Sequence, residues 1–585
     1  MPRPRSPLIL AILILNSISF PALAQITTRV SVSSAGVQAN GSSTSPSISS
    51  DGQVVAFDSA ATNLVTLDTN IVRDVFRHDR TVGTTVRVSV NSSGAQGSGT
   101  SSLPVISGNG QVIAFVSSAA NLVSGDTNGV LDIFAHDVMA GLTVRVSVSS
   151  SGTQGDGHST LASISADGRF IAFESQATNL VPGDTNGFSD IFVRDLATGV
   201  VERISVDSFG SQSNGESYDP SLSGNGRFVA FTSHATSLGV VDTNEVSDVY
   251  VFDRLNAAVV RASVSTGGLQ GNSGSESPAV SHDGRYVTFS STATTLVTED
   301  TNNRADIFVR DTTTNLTSRV SIAAAGHQNS GTSSAPSISS DGQLITYLSV
   351  NGNVLQSGTP SDWILAGPSG AVLLRVGTAS GGALSGSASS LTLSGSGTLV
   401  AFASSGASLV SSDTNGAEDV FVSDFGAPPS VAYCLGDGTA TACPCGNTSA
   451  VGTESGCLNS TGGAGRLTTI GYPNVANDTL VLDAAGMNNG PCLYFQGTGQ
   501  FAAGLGSVLG DGLRCAAGTV IRLEIMTNIG GASQYPRIGD PLVSVKGMCV
   551  PGAVRTYQVW YRDAMSFCTP ETYNLTNGIA LAWRP

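Results

Sequence analysis

The sequence has almost no lysine and few charged residues of any kind. Lys546 is the single lysine, and charged side chains make up 12% of the 585 residues, about half of the fraction that is usual in soluble proteins. The 27 basic residues are outnumbered by 43 acidic ones. Because a protein needs clustered cations to neutralise phosphates, this balance excludes nucleic acid as a partner.

Long apolar runs are also missing. The longest, residues 8–15, is far shorter than the roughly 20 residues that cross a bilayer, so we expect no membrane span. It follows Arg3 and Arg5 and precedes Ala22-Leu23-Ala24, the layout of a secretory signal peptide. The sequence thus predicts a signal peptide over residues 1–24, a mature chain from Gln25, and a secreted, periplasmic or cell-surface location.

An internal repeat dominates what is present. Hydrophobic residues make up 40% of the chain, enough for a folded core despite 69 glycines. The tripeptide Asp-Thr-Asn recurs with a period of 58 residues, beginning at Asp68, Asp126, Asp184, Asp242 and Asp300, and it reappears at Asp413. A fixed period of this kind indicates a repeat fold.

Each repeat unit contains turn signals between short β-rich runs. Asp51-Gly52 is typical of a two-residue hairpin turn, and it recurs as Asn109-Gly110, Asp167-Gly168, Asn225-Gly226, Asp283-Gly284 and Asp341-Gly342. Around the first of these turns the runs are 45–49, 54–59, 74–79 and 85–90. Four short antiparallel strands per unit predict the blades of a β-propeller, with aromatic residues such as Phe57 and Phe76 in the core.

The number of units follows from the fourth strand. A motif that starts with arginine appears seven times, at Arg29, Arg87, Arg145, Arg203, Arg261, Arg319 and Arg375. Its first copy precedes any complete unit, and the last unit, at 419–424, lacks one. We therefore predict an all-β, seven-bladed propeller over residues 25–425, closed by pairing of the Arg29 strand with the strand near Val420.

The 58-residue repeat units resemble those of a known protein family. Residues 163–173 followed by 190–195 resemble the WD40-like (PD40) repeats of TolB-type periplasmic and secreted proteins. The resemblance covers residues 26 to 425. It implies a propeller fold, whereas propellers serve as binding proteins, scaffolds and enzymes alike.

The loops predict which face of the propeller binds a ligand. The Asp-Thr-Asn loop and the linker between units are long and emerge on the same face. Six linkers repeat a glutamine, namely Gln38, Gln96, Gln154, Gln212, Gln270 and Gln328. These amides form a candidate ligand face, and the alternative is that they satisfy the backbone of the loops.

The Asp-Thr-Asn loops also suggest a cation site. The oxygen-bearing residues are Asp68, Asn70, Asp74, Asp126, Asn128, Asp132, Asp184, Asn186 and Asp190, and oxygen ligands suit calcium. A complete calcium loop is excluded, because the run from Asp74 to Asp79 is a predicted strand about 16 Å long. The remaining alternatives are a reduced calcium cluster and structural turns; no other cofactor is expected.

Catalytic signatures are scarce. Neither Gly-x-Ser-x-Gly nor His-Glu-x-x-His occurs, and the histidines fall mostly at non-equivalent positions of the repeat. His78 and His136 are equivalent, but they lie on predicted third strands. One unit departs from the pattern around residues 351–370, and Asp362 within it is the first candidate for a hydrolase or lyase site.

The chain changes character after Gly426-Ala427-Pro428-Pro429. We predict a linker at 426–432 and a disulfide-rich, β-sandwich-like domain at 433–585. All eight cysteines fall there: Cys434, Cys443, Cys445, Cys457, Cys492, Cys515, Cys549 and Cys568. In an exported chain they favour disulfides over a zinc site, and Cys492–Cys515 and Cys549–Cys568 are the pairings that we expect.

This segment resembles a C-terminal cysteine-rich module of large secreted bacterial proteins, through residues 433–438, 512–515, 557–563 and 574–578. The aromatic residues Tyr557, Trp560, Tyr561 and Trp583 form either a core or a platform for stacking sugars.

Three classes of function remain from the sequence. The first is a non-enzymatic, secreted propeller that presents its polar loop face to a protein or glycan, with the C-terminal module for attachment or targeting. The alternatives are a hydrolase or lyase that uses Asp362 and a calcium-stabilised structural repeat.

Overall fold

The computed structural model describes only part of the chain. The described residues are 26–239, 242–323, 327–354, 361–368, 370, 372–376, 388–410, 412–424, 431–438, 441–450, 453, 455–470, 473, 475, 478, 480–537, 540–550, 553–563 and 569–583. The predicted signal peptide and the linker residues 426–430 lie outside them. No helix in these ranges is long and apolar enough to cross a membrane.

Most of the described chain forms short antiparallel strands. The strand β1 (Ile26–Arg29) precedes the first unit. The first four units contain β2 (Ser43–Ile48), β3 (Val54–Ser59), β4 (Asp74–Asp79), β5 (Thr84–Arg87), β6 (Ser101–Ile106), β7 (Val112–Ser117), β8 (Asp132–Asp137), β9 (Leu142–Arg145), β10 (Ser159–Ile164), β11 (Phe170–Ser175), β12 (Asp190–Asp195), β13 (Val201–Arg203), β14 (Ser217–Leu222), β15 (Phe228–Ser233), β16 (Asp248–Asp253) and β17 (Ala258–Arg261).

The next three units contain β18 (Ser275–Val280), β19 (Tyr286–Ser291), β20 (Asp306–Asp311), β21 (Leu316–Arg319), β22 (Thr332–Ile338), β23 (Ile345–Val350), β24 (Ser361–Ala366), β25 (Val372–Val376), β26 (Ala388–Leu393), β27 (Leu399–Ser404) and β28 (Asp419–Asp424). Together β1 to β28 form seven four-stranded antiparallel sheets in the described ranges. Six of these sheets use four strands in chain order, as the turn spacing predicts.

The hairpin turn between the first and second strands is built by a repeated set of contacts. Ser49 donates its hydroxyl to the Asp51 carboxylate at 2.6 Å, and Gly52 has a φ of 73°, which glycine adopts without strain. A Cβ on Gly284, at the equivalent position, would lie 2.0 Å from the ring of Phe228 in the preceding sheet. Glycine is therefore required there by packing as well as by backbone conformation.

The seventh sheet joins the two ends of the repeat region. β1 pairs with β28, with Ile26 opposite Asp424 and Arg29 opposite Phe421, so the sheet order is β1-β28-β27-β26. The buried Val30 then donates its backbone N–H to the carbonyl of Val420 at 2.9 Å. The predicted closure by the Arg29 strand is confirmed.

The seven sheets form a closed ring. The first strand of each sheet contacts the first strand of the next, and β26 contacts β2. On the short-turn side, backbone hydrogen bonds link neighbouring turns around the whole circle, from Ser50 to Gly108 and finally from Ser396 back to Ser50. This is the arrangement of a β-propeller, in which closure removes the exposed edges of an open array.

The linkers protect the outermost strands. Ser34 accepts a hydrogen bond from the backbone N–H of Thr85 in β5 at 2.9 Å and donates to its carbonyl. Ser92 contacts Thr143 in the next sheet in the same way. Each of these linkers thereby covers part of an outer edge that is otherwise open to pairing with another chain.

The C-terminal segment has two main sheets. Its elements are β29 (Val431–Tyr433), β30 (Arg466–Ile470), β31 (Val481–Ala485), β32 (Gly490–Gly497), β33 (Gly499–Gln500), β34 (Ser507–Leu509), β35 (Gly512–Arg514), β36 (Ala516–Ala517), β37 (Ile521–Asn528), β38 (Ser533–Tyr535), α1 (Val543–Lys546), β39 (Val554–Arg562), β40 (Tyr573–Leu575) and β41 (Gly578–Ala582), with short 3-10 turns at Pro444–Gly446 and Phe501–Gly504.

A six-stranded sheet, β29-β41-β39-β32-β37 with β40 beside β39, shares one core with the three-stranded sheet β30-β31-β38. Leu467 and Leu482 from the smaller sheet pack against Tyr494 and Val559 from the larger one. Two sheets that enclose one apolar layer have the general form of a β-sandwich.

Among the described residues of this segment, disulfides join Cys434 to Cys515 and Cys443 to Cys457. The predicted pairing of Cys492 with Cys515 is wrong, because Cys515 is bonded to Cys434 and Cys492 lies as a free thiol in the core between the two sheets. Cys549 is also a buried free thiol. Its expected partner Cys568 and the side chain of Cys445 lie outside the described residues.

Candidate functional site

The repeated linker glutamines connect the two long loops of a unit. Gln96 donates through its amide to the Thr69 hydroxyl at 2.7 Å, and its Oε1 accepts from the guanidinium of Arg87. Its backbone forms a bridge with Val90. Corresponding backbone bridges occur at Gln38, Gln154, Gln212, Gln270 and Gln328. These contacts place the Asp-Thr-Asn loop beside the linker. They also occupy hydrogen-bonding groups of the glutamine side-chain amides within the unit.

An arginine lies between the two carboxylates of each Asp-Thr-Asn loop. Nη1 of Arg87 is 3.6 Å from Asp68 and 3.2 Å from Asp74. Asp74 also accepts hydrogen bonds from the Ser89 hydroxyl and the Asn70 amide. The same pairing of one arginine with two aspartates recurs at Arg29 with Asp413 and Asp419, Arg145 with Asp126 and Asp132, Arg203 with Asp184 and Asp190, Arg261 with Asp242 and Asp248, and Arg319 with Asp300 and Asp306.

This arrangement bears on the calcium prediction. The guanidinium supplies positive charge at the place where a cation would bridge Asp68 and Asp74, and Asn70 uses its amide to bind Asp74 and the carbonyl of Gly97. Within the described ranges, no three His, Cys, Asp or Glu side chains are grouped so as to hold a metal ion. The loop geometry thus favours an arginine bridge over a calcium cluster.

Each bridge still carries one more negative than positive charge in a buried setting. Burial raises the pKa of Asp68, with the Arg87 charge opposing it. The effect is largest at Asp306, where burial raises the pKa to about 6 against the hydrogen bond from Ser321 and the charge of Arg319. Desolvation disfavours the ionised form of a carboxyl, so these bridges respond to pH.

The irregular unit keeps a simpler version of the bridge. Asp362 on β24 forms an ion pair with Arg375 on β25, and its side chain is 10% exposed. Trp363 beside it is buried and donates its indole N–H to the carbonyl of Ala388. Asp362 is therefore held by a cation in a structural position.

Three consecutive units place acidic side chains at the inner end of the long-loop face. The charges of Asp219 and Glu216 raise the pKa of Glu174, and the charge of Glu276 raises the pKa of Asp219, in each case after burial. We call these four carboxylates the acidic cluster. Asp219 and Glu276 lie on the first strands β14 and β18, which line the inside of the ring. Asp219 sits in a β-bulge with a φ of 54°.

The acidic cluster has a polar aromatic neighbour and elevated pKa values. Burial, followed by the charge of Glu276, raises the pKa of Asp219. Burial also raises the pKa of Glu174, which accepts a hydrogen bond from Ser189. Tyr218 lies against the ring of His234 with 5.8 Å between centroids. The cluster thus presents negative charge and an aromatic edge together.

The sequence contained a signal for this cluster. Aligning the 58-residue units places Tyr218 and Glu276 where other units have Thr44, Ser102 or Thr160. The repeat itself carries only what the units share, whereas these two side chains are found where single units differ.

The other candidate side chains have structural roles. His78 and His136 are buried and bond the hydroxyls of Thr85 and Thr143 at 2.8 Å, and burial lowers the pKa of both. In the C-terminal segment, Trp583 is buried and donates to the buried Tyr557 hydroxyl at 2.6 Å.

Tyr561 is also buried. Trp560 is half-buried and packs against Tyr573 with 5.5 Å between ring centroids. The alternative of a core is thus confirmed for Tyr557, Tyr561 and Trp583.

Comparison with known proteins gives distant structural similarities only. No protein family model and no curated protein matches the sequence. An oligogalacturonate lyase solved in complex with manganese is 12% identical, with a TM-score of 0.42 over 68% of this chain and 92% of that chain. A putative TolB from Agrobacterium tumefaciens is 14% identical, with a TM-score of 0.31 over 58% of this chain and 93% of that one.

One of two analysed prolyl endopeptidases is 15% identical, with a TM-score of 0.42 over 68% of this chain and 53% of that chain. These similarities are too distant to transfer an activity. The propeller assignment rests on the sheet order, the closing strand and the ring of turn-to-turn hydrogen bonds.

Proposed function

We propose that this chain is an exported, non-enzymatic binding protein of the TolB-like propeller type, and that its long-loop face takes a protein or glycan ligand. Residues 25–425 form the seven-bladed binding unit, and residues 433–585 form a disulfide-bonded module for attachment or targeting. Disulfides such as Cys434–Cys515 are typical of oxidising compartments outside the cytosol, which supports export.

The acidic cluster is the observation that carries this proposal. The repeated polar side chains, including the linker glutamines and the Asp-Thr-Asn residues, are hydrogen-bonded within their own units. Glu174, Glu216, Asp219 and Glu276 instead concentrate unbalanced charge at the inner end of the long-loop face. Such a local departure from the repeat, on the face with the longest loops, marks a recognition surface.

For each alternative function, an arginine occupies the site that the function requires. A hydrolase or lyase at Asp362 needs a carboxylate that is free to transfer a proton, and Asp362 is paired with Arg375. A calcium-stabilised repeat needs a cation between Asp68 and Asp74, where Arg87 lies. Binding through the long-loop face conflicts with neither pairing.

The test is a binding screen of the full chain against panels of immobilised peptides and oligosaccharides. We expect the triple variant Glu174→Gln, Asp219→Asn and Glu276→Gln to weaken binding of a bound ligand by about tenfold or more. The matched control Asp51→Asn, Asp167→Asn and Asp283→Asn removes the same number of charges from exposed hairpin turns on the opposite, short-turn side of the ring. Equal affinity of both triple variants would remove the acidic cluster from the binding surface.

A further inference from the structure

The first unit contains an ion pair at the inner end of its long-loop face. Asp58 at the end of β3 is buried and pairs through Oδ1 with Arg73, which precedes β4. Nη1 of Arg73 also donates to the Thr44 hydroxyl at 2.7 Å. The second carboxylate oxygen of Asp58 accepts from the backbone N–H of Leu103 in the second unit at 3.1 Å. One guanidinium thus balances the carboxylate at this position and joins it to a hydroxyl.

The third unit has the acceptors of this arrangement without the cation. The residues that replace Thr44, Asp58 and Arg73 two repeat periods further along the chain are Thr160, Glu174 and Ser189. Ser189 donates its hydroxyl to Glu174 at 3.0 Å but brings no charge. The backbone N–H of Asp219 in the fourth unit donates to Glu174, and the charges that act on this carboxyl, those of Asp219 and Glu216, are negative. The carboxylate is therefore left without a balancing charge.

This contrast is specific to the first and third units. They alone carry a carboxylate at this position of the second strand, because the other five units have Val116, Thr232, Ser290, Leu348 and Ala403 there. The two units therefore differ in whether the chain itself supplies the cation. An external cation can fill the place that Arg73 fills in the first unit.

A buried hydroxyl without a partner lies at the same position of the fourth unit. Thr232 is fully buried and stands opposite Tyr218 on the neighbouring strand, and its Oγ1 has no hydrogen-bond partner. The side chain at this position points toward the first strand of the next unit, as that of Asp58 does. In the fourth unit this direction leads to Ser277, which hydrogen-bonds to Asp219. A buried polar group without a partner is costly, and this one lies at the floor of the acidic cluster.

The acidic cluster is open to solvent and has an aromatic side. Glu216 and Glu276 are exposed, whereas Glu174 and Asp219 are half-buried. Burial, followed by the charges of Glu276 and Asp219, raises the pKa of Tyr218, so its ring lies near these carboxylates. A guanidinium forms two parallel hydrogen bonds with a carboxylate and also stacks on aromatic rings. An ammonium group does not combine these two contacts in the same way.

We propose that the acidic cluster binds the guanidinium of an arginine side chain that a protein ligand inserts at the inner end of the long-loop face. Glu174 accepts hydrogen bonds from this group as Asp58 accepts from Arg73, and Tyr218 contacts the flat face of the guanidinium. The guanidinium site rests on the proposed function and narrows the ligand to a protein.

The experiment measures the affinity of the full chain for three blocked tripeptides by saturation-transfer NMR. They are Gly-Arg-Gly and its analogues with lysine or citrulline in the middle, and citrulline has nearly the shape of arginine without its charge. Glu174→Gln removes the carboxylate, and Ser189→Arg gives the third unit the cation that the first unit has. The matched control Leu131→Arg adds an arginine at the same position of the second unit, where Val116 replaces the carboxylate.

We expect the arginine peptide to bind about tenfold more tightly than the citrulline peptide, and also more tightly than the lysine peptide. Glu174→Gln and Ser189→Arg should each weaken its binding by about tenfold or more. Leu131→Arg should leave the affinity unchanged. Thermal unfolding of each variant checks that the fold is retained.

Absence of saturable binding by the arginine peptide, equal affinity for the citrulline peptide, or unchanged affinity in both Glu174→Gln and Ser189→Arg would overturn the guanidinium site. Failure of the proposed function gives a different result, since no member of the peptide and oligosaccharide panels would then bind. A panel ligand without arginine that loses affinity in the triple variant of the acidic cluster would leave the binding function intact and overturn only the guanidinium site.

Discussion

Arg29 on β1 lies directly opposite Phe421 on β28. The two residues stand at opposite ends of the repeat region, and their pairing completes the seventh sheet. Neighbouring Thr27 and Ser423 are also paired in register, and their hydroxyl oxygens are 2.8 Å apart. The propeller thus depends on a contact between the first and last described strands of the repeat region.

Cross-linking tests this closure. We expect the double variant Thr27→Cys and Ser423→Cys to form a disulfide on air oxidation, because opposed residues on antiparallel strands lie within the Cα separation that a disulfide requires. Mass spectrometry of a proteolytic digest detects the linked peptides. The control Thr27→Cys with Thr314→Cys places the second thiol on another sheet, and a cross-link of equal yield there would contradict the assigned closure.

Removal of the arginine bridge should destabilise the fold. Arg87→Gln leaves the buried Asp68 and Asp74 without their shared cation, and loss of one partner of a buried ion pair costs about 3–5 kcal/mol. Urea unfolding measures the change in the free energy of unfolding. Arg227→Gln is the control, because its pair with Asp253 involves a side chain that is 38% exposed and is worth at most about 1 kcal/mol. A similar loss of unfolding free energy in both variants would contradict a larger contribution from the arginine bridge than from the exposed ion pair.

Calcium should have no stabilising effect on the wild-type chain. Arg87 and its equivalents already supply positive charge to the paired aspartates of the Asp-Thr-Asn loops. We therefore expect the same Tm in excess calcium and in excess chelator, measured by calorimetry with magnesium as the control. A ligand that binds the folded state at saturating concentration raises Tm, so a rise specific to calcium would favour the calcium-stabilised repeat.

Protonation of the bridge aspartates should stabilise the fold as the pH falls from neutral. The folded-state pKa of Asp306 is raised to about 6, and those of Asp68, Asp126, Asp184, Asp248 and Asp300 are also raised. A carboxyl whose folded pKa exceeds its unfolded value of 3.8 binds protons more tightly when folded. Its contribution is fully present below the unfolded pKa and is lost as pH rises through the folded pKa.

We expect the bridge aspartates, Asp306 most of all, to raise Tm as pH falls from about 8 to about 5, while the buried His78 and His136, whose pKa values are lowered, act in the opposite direction. Below about 4 the trend should reverse, because the pKa values of Asp195, Asp253 and Asp311 are lowered by the arginines that bind them. Asp306→Asn should reduce the gain between pH 8 and 5, and Asp167→Asn on an exposed turn should not. The same pH dependence of Tm in the wild-type chain and in Asp306→Asn would contradict the raised pKa of Asp306.

The strand positions and the closure of the propeller could be predicted from the sequence. The 58-residue period and the Asp-Gly and Asn-Gly turns located the strands, and the unmatched motif at Arg29 predicted the closing pair because strand edges must be covered. These features are local or periodic, so the order of residues alone carries them. The two sheets of the C-terminal segment also follow the predicted β-rich character.

Contacts between distant side chains that the repeat pattern does not encode were not available from the sequence. The partner of Cys515 is Cys434 rather than Cys492, since the fold of the intervening chain decides which sulfurs meet. The arginine motif was recognised as a strand marker, whereas its position between Asp68 and Asp74 depends on the approach of two loops. The acidic cluster similarly requires neighbouring sheets to bring Glu174 beside Asp219.

The linkers that cross outer strands have a consequence for changes in unit number. Ser34 contacts β5 and Ser92 contacts β9, so the linker that leads into each of these sheets also covers its outermost strand. Deletion of one unit would remove one of these linkers. It would also change the angle between each remaining sheet and the next. A change in the number of units, by duplication or deletion, therefore requires the packing of every sheet against its neighbours to change together.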